Sequence, residues 1–280
     1  MKYTSHYLAI ITACLTGAGS LTCRGESPKP EAPARAGWKL IWSDEFEHAG
    51  APDPTKWTCD VGGNGWGNNE KQFYTDDRPE NVRVEGGRLI IEARKESYRG
   101  RDYTSARLVT KNKGDWDHGR FEIRAKLPAG RGTWPAIWML PTVWDLGDGG
   151  WPDNGEIDIM EHVGFNPGVI HGSLHSRLYQ WRKNTQRTAT LAVPDAATVF
   201  HTYALEWERD EIRMYIDDQH YFTSKREGGD WQSWPFFRKF HLLLNLAVGG
   251  DWGGEKGIDP AAFPQRMEVD YVRVYERNAP

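Results

Sequence analysis

Cysteine is nearly missing from this chain. Cys14 and Cys23 fall within the first 23 residues, which leaves Cys59 alone in everything that follows. One thiol excludes an intrachain disulfide there, so the fold must stand on its buried core. An excess of one charge sign is missing too: 35 Lys+Arg face 39 Asp+Glu. A balance this even argues against nucleic acid or an anionic membrane as a partner and suits a neutral one. No apolar run reaches the roughly 20 residues that a membrane helix needs. The stretch from Tyr7 to Leu21 is shorter and is broken by Thr and Gly. Long stretches with helical periodicity are absent as well.

The first 23 residues, with an early Lys2 before the apolar stretch, read as an export signal. Ile11-Thr12-Ala13-Cys14 is similar to the box before a lipidated bacterial cysteine but leaves a short apolar core, and Cys23 is better placed by length and worse by its preceding residues. Cleavage near Ser20 without lipid is the third option. Residues 24–37 are rich in Pro, Ala and charge and read as a tether. The expected product is exported, whether extracellular, periplasmic or lipid-anchored at the outer cell surface, and monomeric.

From Trp38 to Arg277, period-two runs of Val, Ile, Tyr, Phe and Trp recur between Gly, Asp, Asn and Pro clusters. That pattern predicts one all-β domain, a sandwich or barrel. The chain also holds 14 Trp. Trp fills β cores, and its wide apolar face also stacks on flat apolar surfaces such as a pyranose ring.

The most informative segment is GEIDIMEHVG, residues 155–164. Side chains alternate along a strand, so Glu156 and Asp158 share a face while Ile157 and Ile159 turn to the core. Glu161, at an odd offset from Glu156, would point the other way. One extra residue in a β-bulge around Met160 restores all three acids to one face, and the sequence predicts that bulge. The two glutamate Cα atoms then lie roughly 13 Å apart at ~3.3 Å per residue. Inward-leaning side chains approach the carboxyl spacing of about 5–5.5 Å used in retaining glycoside hydrolysis, although the wider inverting spacing also fits. Acids are poor strand formers and like charges on one face repel, so an exposed amphipathic strand is the weaker reading. Asp158 between the glutamates would hold Glu156 and separate the proton affinities of the set. Clustered carboxylates also suit calcium, but such sites favour Asp and Asn on turns.

GEIDIMEHVG together with WSDEF (42–46), GRFEIRAKLPAGRGTWPAIWMLP (119–141), NLAVGGDWGG (245–254) and VDYVRVYE (269–276) resembles glycoside hydrolase family 16, nearest its laminarinase-like endo-β-1,3-glucanases. The resemblance spans nearly all of residues 38–276. It implies a concanavalin-like β-jelly-roll sandwich of two antiparallel sheets over 38–277, with a concave substrate cleft and a retaining mechanism. It also implies Glu156 as nucleophile, Asp158 as the intervening acid and Glu161 as general acid/base. The extra residue sets the chain apart from the lichenase and xyloglucan-transferase branches.

For β-glucan binding the resemblance points to Trp134, Trp138, Asn68 and Arg107, and to His175 on the leaving-group side. Trp252, in a Gly-rich loop, and Trp116 are added as candidate sugar contacts. Core packing for the tryptophans and a surface ion pair for Arg107 are the plainer alternatives. No cofactor is required for the chemistry. A structural calcium on the convex side is implied at Asp270 with backbone oxygens near Glu45 and Gly87. The expected activity is endo-hydrolysis of β-1,3-glucan, with agarase, carrageenase or mixed-linkage glucanase as sister specificities and a non-catalytic sugar-binding jelly roll as the other class. Sulfated substrates call for a basic cleft, and the cleft segments hold few Arg.

Overall fold

Alternation in the sequence becomes strands with one face turned to a shared core. The structure, a computed structural model, describes residues 34–76 and 78–278. The export signal expected over 1–23 and most of the tether expected over 24–37 lie outside the described residues. In chain order the strands are β1 (Trp38–Asp44), β2 (Thr58–Cys59), β3 (Gln72–Tyr74), β4 (Val82–Glu85), β5 (Arg88–Tyr98), β6 (Arg101–Ser105), β7 (Arg107–Val109), β8 (Asp115–Trp116) and β9 (Gly119–Lys126). They continue as β10 (Thr133–Pro141), β11 (Glu156–Glu161), β12 (Val169–His175), β13 (Arg187–Ala192), β14 (His201–Trp207), β15 (Glu211–Ile216), β16 (Gln219–Lys225), β17 (Phe240–Val248) and β18 (Gln265–Arg277).

The strands form two sheets, as a jelly-roll sandwich requires. One runs β16-β15-β14-β9-β18-β5-β6-β3, with β1 on β18 and β4 on β5; the other runs β13-β12-β11-β10-β17-β7-β2, with β8 on β17. Pairing is antiparallel except between β3 and β6, which run parallel. Gly86-Gly87 and Asp217-Asp218 adopt positive φ between paired strands, the backbone that tight hairpins need. Among the described residues no helix is long and apolar enough to cross a membrane.

The core lies between the sheets. β17 is buried along its whole length. Leu242, Leu244, Leu246 and Val248 join the core cluster from one of its faces, while Asn245 and Ala247 line a cavity on the other. β10 repeats the division: Ile137 and Met139 pack inward, and Trp134, Ala136 and Trp138 line the cavity. Burying each such Leu or Ile contributes ~1.5–3 kcal/mol, which lets the sheets hold without a disulfide. The outer face of the smaller sheet is thus left free to carry polar and aromatic side chains.

Candidate active site

The predicted bulge is present and sits at Ile159–Met160. Against β10, Met160 faces Ile137 and Asp158 faces Trp138, so Ile159 is passed over. Against β12, Asp158 faces Ser173 and Glu161 faces His171, so two residues oppose Gly172. Ile157, Ile159 and Met160 are all buried in the core. Two consecutive inward side chains are what a bulge permits, and Glu156, Asp158 and Glu161 consequently line one cavity.

Each glutamate carries an indole donor. Trp151 Nε1 donates to Glu156 Oε2 at 2.8 Å, and Trp134 Nε1 donates to Glu161 Oε1 at 3.0 Å. Asp158, 2% exposed, hydrogen-bonds Glu156 and lies 3.2 Å from Nε2 of His175. His175 is paired opposite Glu156 on β12, and its Nε2 is 3.9 Å from Glu156 Oε1. One ligand atom from each of Glu156, Asp158 and His175 falls within 4.8 Å of the others, a grouping that could also grip a metal ion.

Burial pushes all three carboxyls up, each to about 8. For Glu156 the Asp158 charge adds to burial, and His175, then the Trp151 bond, act against it. For Glu161 burial again leads and Asp158 adds to it, while His175 and the Trp134 bond oppose. Like charges this close resist simultaneous ionisation, so the set keeps protons near neutral pH. A site that can hold one carboxylate charged beside a protonated acid can attack a carbon and protonate a leaving oxygen in one step.

Two cavities meet at these acids. One, of about 280 Å³, extends across β10, β17 and β7 past Trp138, Asn245 and Arg107; the other, of about 590 Å³, extends over β12 and β13 past His171, Ser173, Thr188 and Trp252. Both include Glu156, Glu161, Trp134, Asn68 and Trp181. The result is a groove lying across the strands, open on both sides of the acids.

Most residues singled out in the sequence come together here. Arg107 is sandwiched between Trp66 and Trp138, with its guanidinium 4.8 and 4.9 Å from the ring centres, and its Nε lies 3.0 Å from Asp60. It is therefore both an ion-pair partner and a cleft residue. Trp138 Nε1 donates to Asn245 Oδ1 at 2.7 Å, and Asn68 Nδ2 reaches Glu70 at 3.4 Å. Trp252 stands edge-on to Trp134 and His171, at 5.6 and 4.9 Å.

Trp116 is a correction. Its ring packs edge-on against Trp42 and Phe121, at 5.5 and 5.3 Å, and rests on the core rather than the cleft. β8 joins β17 at Phe240 and His241, the end remote from Asn245 and Ala247, and this fixes Trp116 away from the sugar groove.

Sequence reasoning missed Trp66, Glu70, Trp144, Trp151, Trp181 and Arg182, all of which line the first cavity. Glu70 is buried and accepts from Gln72 at 2.5 Å and Tyr74 at 3.2 Å; burial raises its proton affinity. Its place two residues after Asn68, in the run WGNNE (66–70), was the available signal for it.

On the larger sheet, β5 pairs with β18 up to Val269 and β1 pairs with it from Val272. Glu45 follows the end of β1, and Gly87 precedes the start of β5. Asp270 accepts from Arg124 at 2.6 Å, and Glu45 is held by both arms of Arg273 at 2.9 Å. Both carboxylates are thus paired with arginines, which a hard cation would have to share.

A two-sheet jelly roll with paired glutamates on a bulged strand, inside an open groove, is the architecture of a glycoside hydrolase. Residues 69–273 match the family model "Glycosyl hydrolases family 16", and the chain belongs to that family. It is 54% identical to the beta-glucanase of Rhodothermus marinus over 280 residues, spanning 98% of this chain and 94% of that protein. It is 39% identical to a glucan endo-1,3-beta-glucosidase of Cryptopygus antarcticus, over 88% of this chain and 94% of that one. The laminarinase structure from Rhodothermus marinus superimposes with a TM-score of 0.85 at 59% identity, over 86% of this chain and 98% of its own.

Proposed function

We propose that this protein is a retaining endo-glycosidase that hydrolyses internal β-1,3-glucosidic bonds of laminarin-type glucans. The bulge carries the reading: it turns Glu156 and Glu161 to one face, where two open cavities meet. Openness on both sides suits attack within a chain rather than at its end. The relatives, named for action on β-glucans, support the substrate class.

In the first step Glu156 attacks the anomeric carbon, the bond to the leaving sugar breaks, and Glu161 gives its proton to the leaving oxygen. A water then attacks the same carbon, Glu161 takes a proton from it, and Glu156 is released. Asp158, with His175 at its other side, holds Glu156 and shares a proton with it. Arg107, Trp138 and Asn68 grip the glycone; Trp252, with His175 nearer the acids, serves the leaving-group side.

The chemistry uses these side chains without a cofactor. Calcium, held by Asp270 with backbone oxygens of Glu45 and Gly87, serves stability alone in this reading. Export through residues 1–23 belongs to the same proposal, since a polysaccharide must be met outside the cell.

The test is a reducing-end assay on laminarin, lichenan, agarose and carrageenan with product lengths resolved. Rapid release of mixed-length oligosaccharides from laminarin is expected. Activity on agarose with none on laminarin would overturn the substrate and leave the mechanism standing.

A further inference from the structure

The loop DLGDGGWPDNG, residues 145–155, has the composition of a mobile segment, yet its Trp151 touches a catalytic oxygen. Something must hold it there. From behind, Asn154, fully buried, accepts from the backbone N–H of Asp145 at 3.0 Å and of Leu146 at 2.9 Å. From the side come two arginines of the segment between β12 and β13. Arg177 bonds Asp148 at 2.7 Å and pairs with Asp153 at 3.0 Å. Arg182 lies over the Trp151 ring at 4.8 Å and the Trp181 ring at 5.3 Å. A cation over an indole face restricts the ring while leaving its N–H edge free to donate.

We infer that Trp151 and Arg182 are a positioning pair for Glu156, through which the segment between β12 and β13 aims the attacking carboxylate. The indole claims Oε2 and leaves Oε1 to attack. When Oε1 bonds to the sugar carbon, Oε2 becomes the ester carbonyl and keeps the same donor. Among the described residues no other indole donates to Glu156; its other neighbours are Asp158, which hydrogen-bonds it, and Glu161 on its own strand and His175 on β12. The inference rests on Glu156 being the nucleophile.

The experiment is the pH profile of kcat/KM on laminarihexaose for Trp151→Phe, Arg182→Ala and Arg182→Lys. Loss of the N–H in Trp151→Phe makes Glu156 harder to ionise. The acidic limb is expected to move to higher pH, by about tenfold in proton concentration, while the basic limb stays. The kcat should fall about tenfold with KM within about twofold, the pattern of a lost transition-state contact. Arg182→Ala should move the same limb by less, and Arg182→Lys should restore part of the loss. An unmoved acidic limb with a raised KM in both Trp151→Phe and Arg182→Ala would mean that these residues only touch sugar, and would overturn the inference. Arg182 is exposed, so its variants remain informative if Trp151→Phe does not fold. Nucleophile identity is tested separately by azide rescue, so the two readings fail independently.

Discussion

Trp134 Nε1 donates a 3.0 Å hydrogen bond to Oε1 of Glu161, from the strand next door. The indole stabilises the charged form, so removing it raises the proton affinity of Glu161. Glu161 must carry a proton to act as the acid. For Trp134→Phe the basic limb of kcat/KM is therefore expected to move to higher pH, with kcat down about 10–100-fold. A lost sugar contact alone would raise KM and leave that limb in place.

The buried acids carry a stability cost that depends on pH. Their proton affinities are raised on folding, from the ordinary 3.8 of Asp and 4.5 of Glu to about 8, so between those values the native state binds more protons than the unfolded one. Stability from these groups is then complete at low pH and declines as pH rises through that window. Asp158→Asn, which cannot ionise, is expected to melt higher than the parent at pH 7, by about 2–4 °C for each kcal/mol relieved. The gain should vanish at about pH 3, below the ordinary Asp value of 3.8. Equal gains at both pH values would show that ionisation is not the cause.

Much of this was legible in the chain, and the remainder has physical reasons. The all-β class is legible because strands such as Glu211–Ile216 alternate strongly between buried and half-buried positions. β13, whose RTATLA holds one large apolar residue, and β16, QHYFTSK, carry too little apolar periodicity to announce themselves. The bulge was legible because three acids needed one face; its exact seat, shared between Ile159 and Met160, depends on the two neighbouring strands. Trp151, Trp181 and Arg182 were invisible because they lie on loops, whose spatial partners no local pattern encodes. Trp116 was misjudged for the converse reason: a Trp on a short strand looks alike whether it faces sugar or core.

Arg107 owes its place to a planar fit between two indoles. An ammonium cannot stack in that slot or offer a forked set of donors. Arg107→Lys is expected to raise KM for laminari-oligosaccharides about tenfold with kcat nearly unchanged, as read from steady-state kinetics. A fall in kcat at constant KM would place Arg107 in the chemical step instead.

Calcium in the gap at Asp270 would share that carboxylate with Arg124, which bonds its Oδ2. Adding calcium to chelator-treated protein is expected to raise the melting temperature of the parent and leave Asp270→Asn unmoved, with kcat unchanged in both. An identical response in the two proteins would remove Asp270 as the ligand.

The sharpest test of the paired glutamates is chemical rescue. With azide and an activated aryl β-laminaribioside, Glu156→Ala is predicted to recover turnover and yield a glycosyl azide of inverted, α configuration, while Glu161→Ala yields the β azide. An α azide from Glu161→Ala, or no azide product from either variant, would contradict the roles assigned to the two ends of the bulged strand.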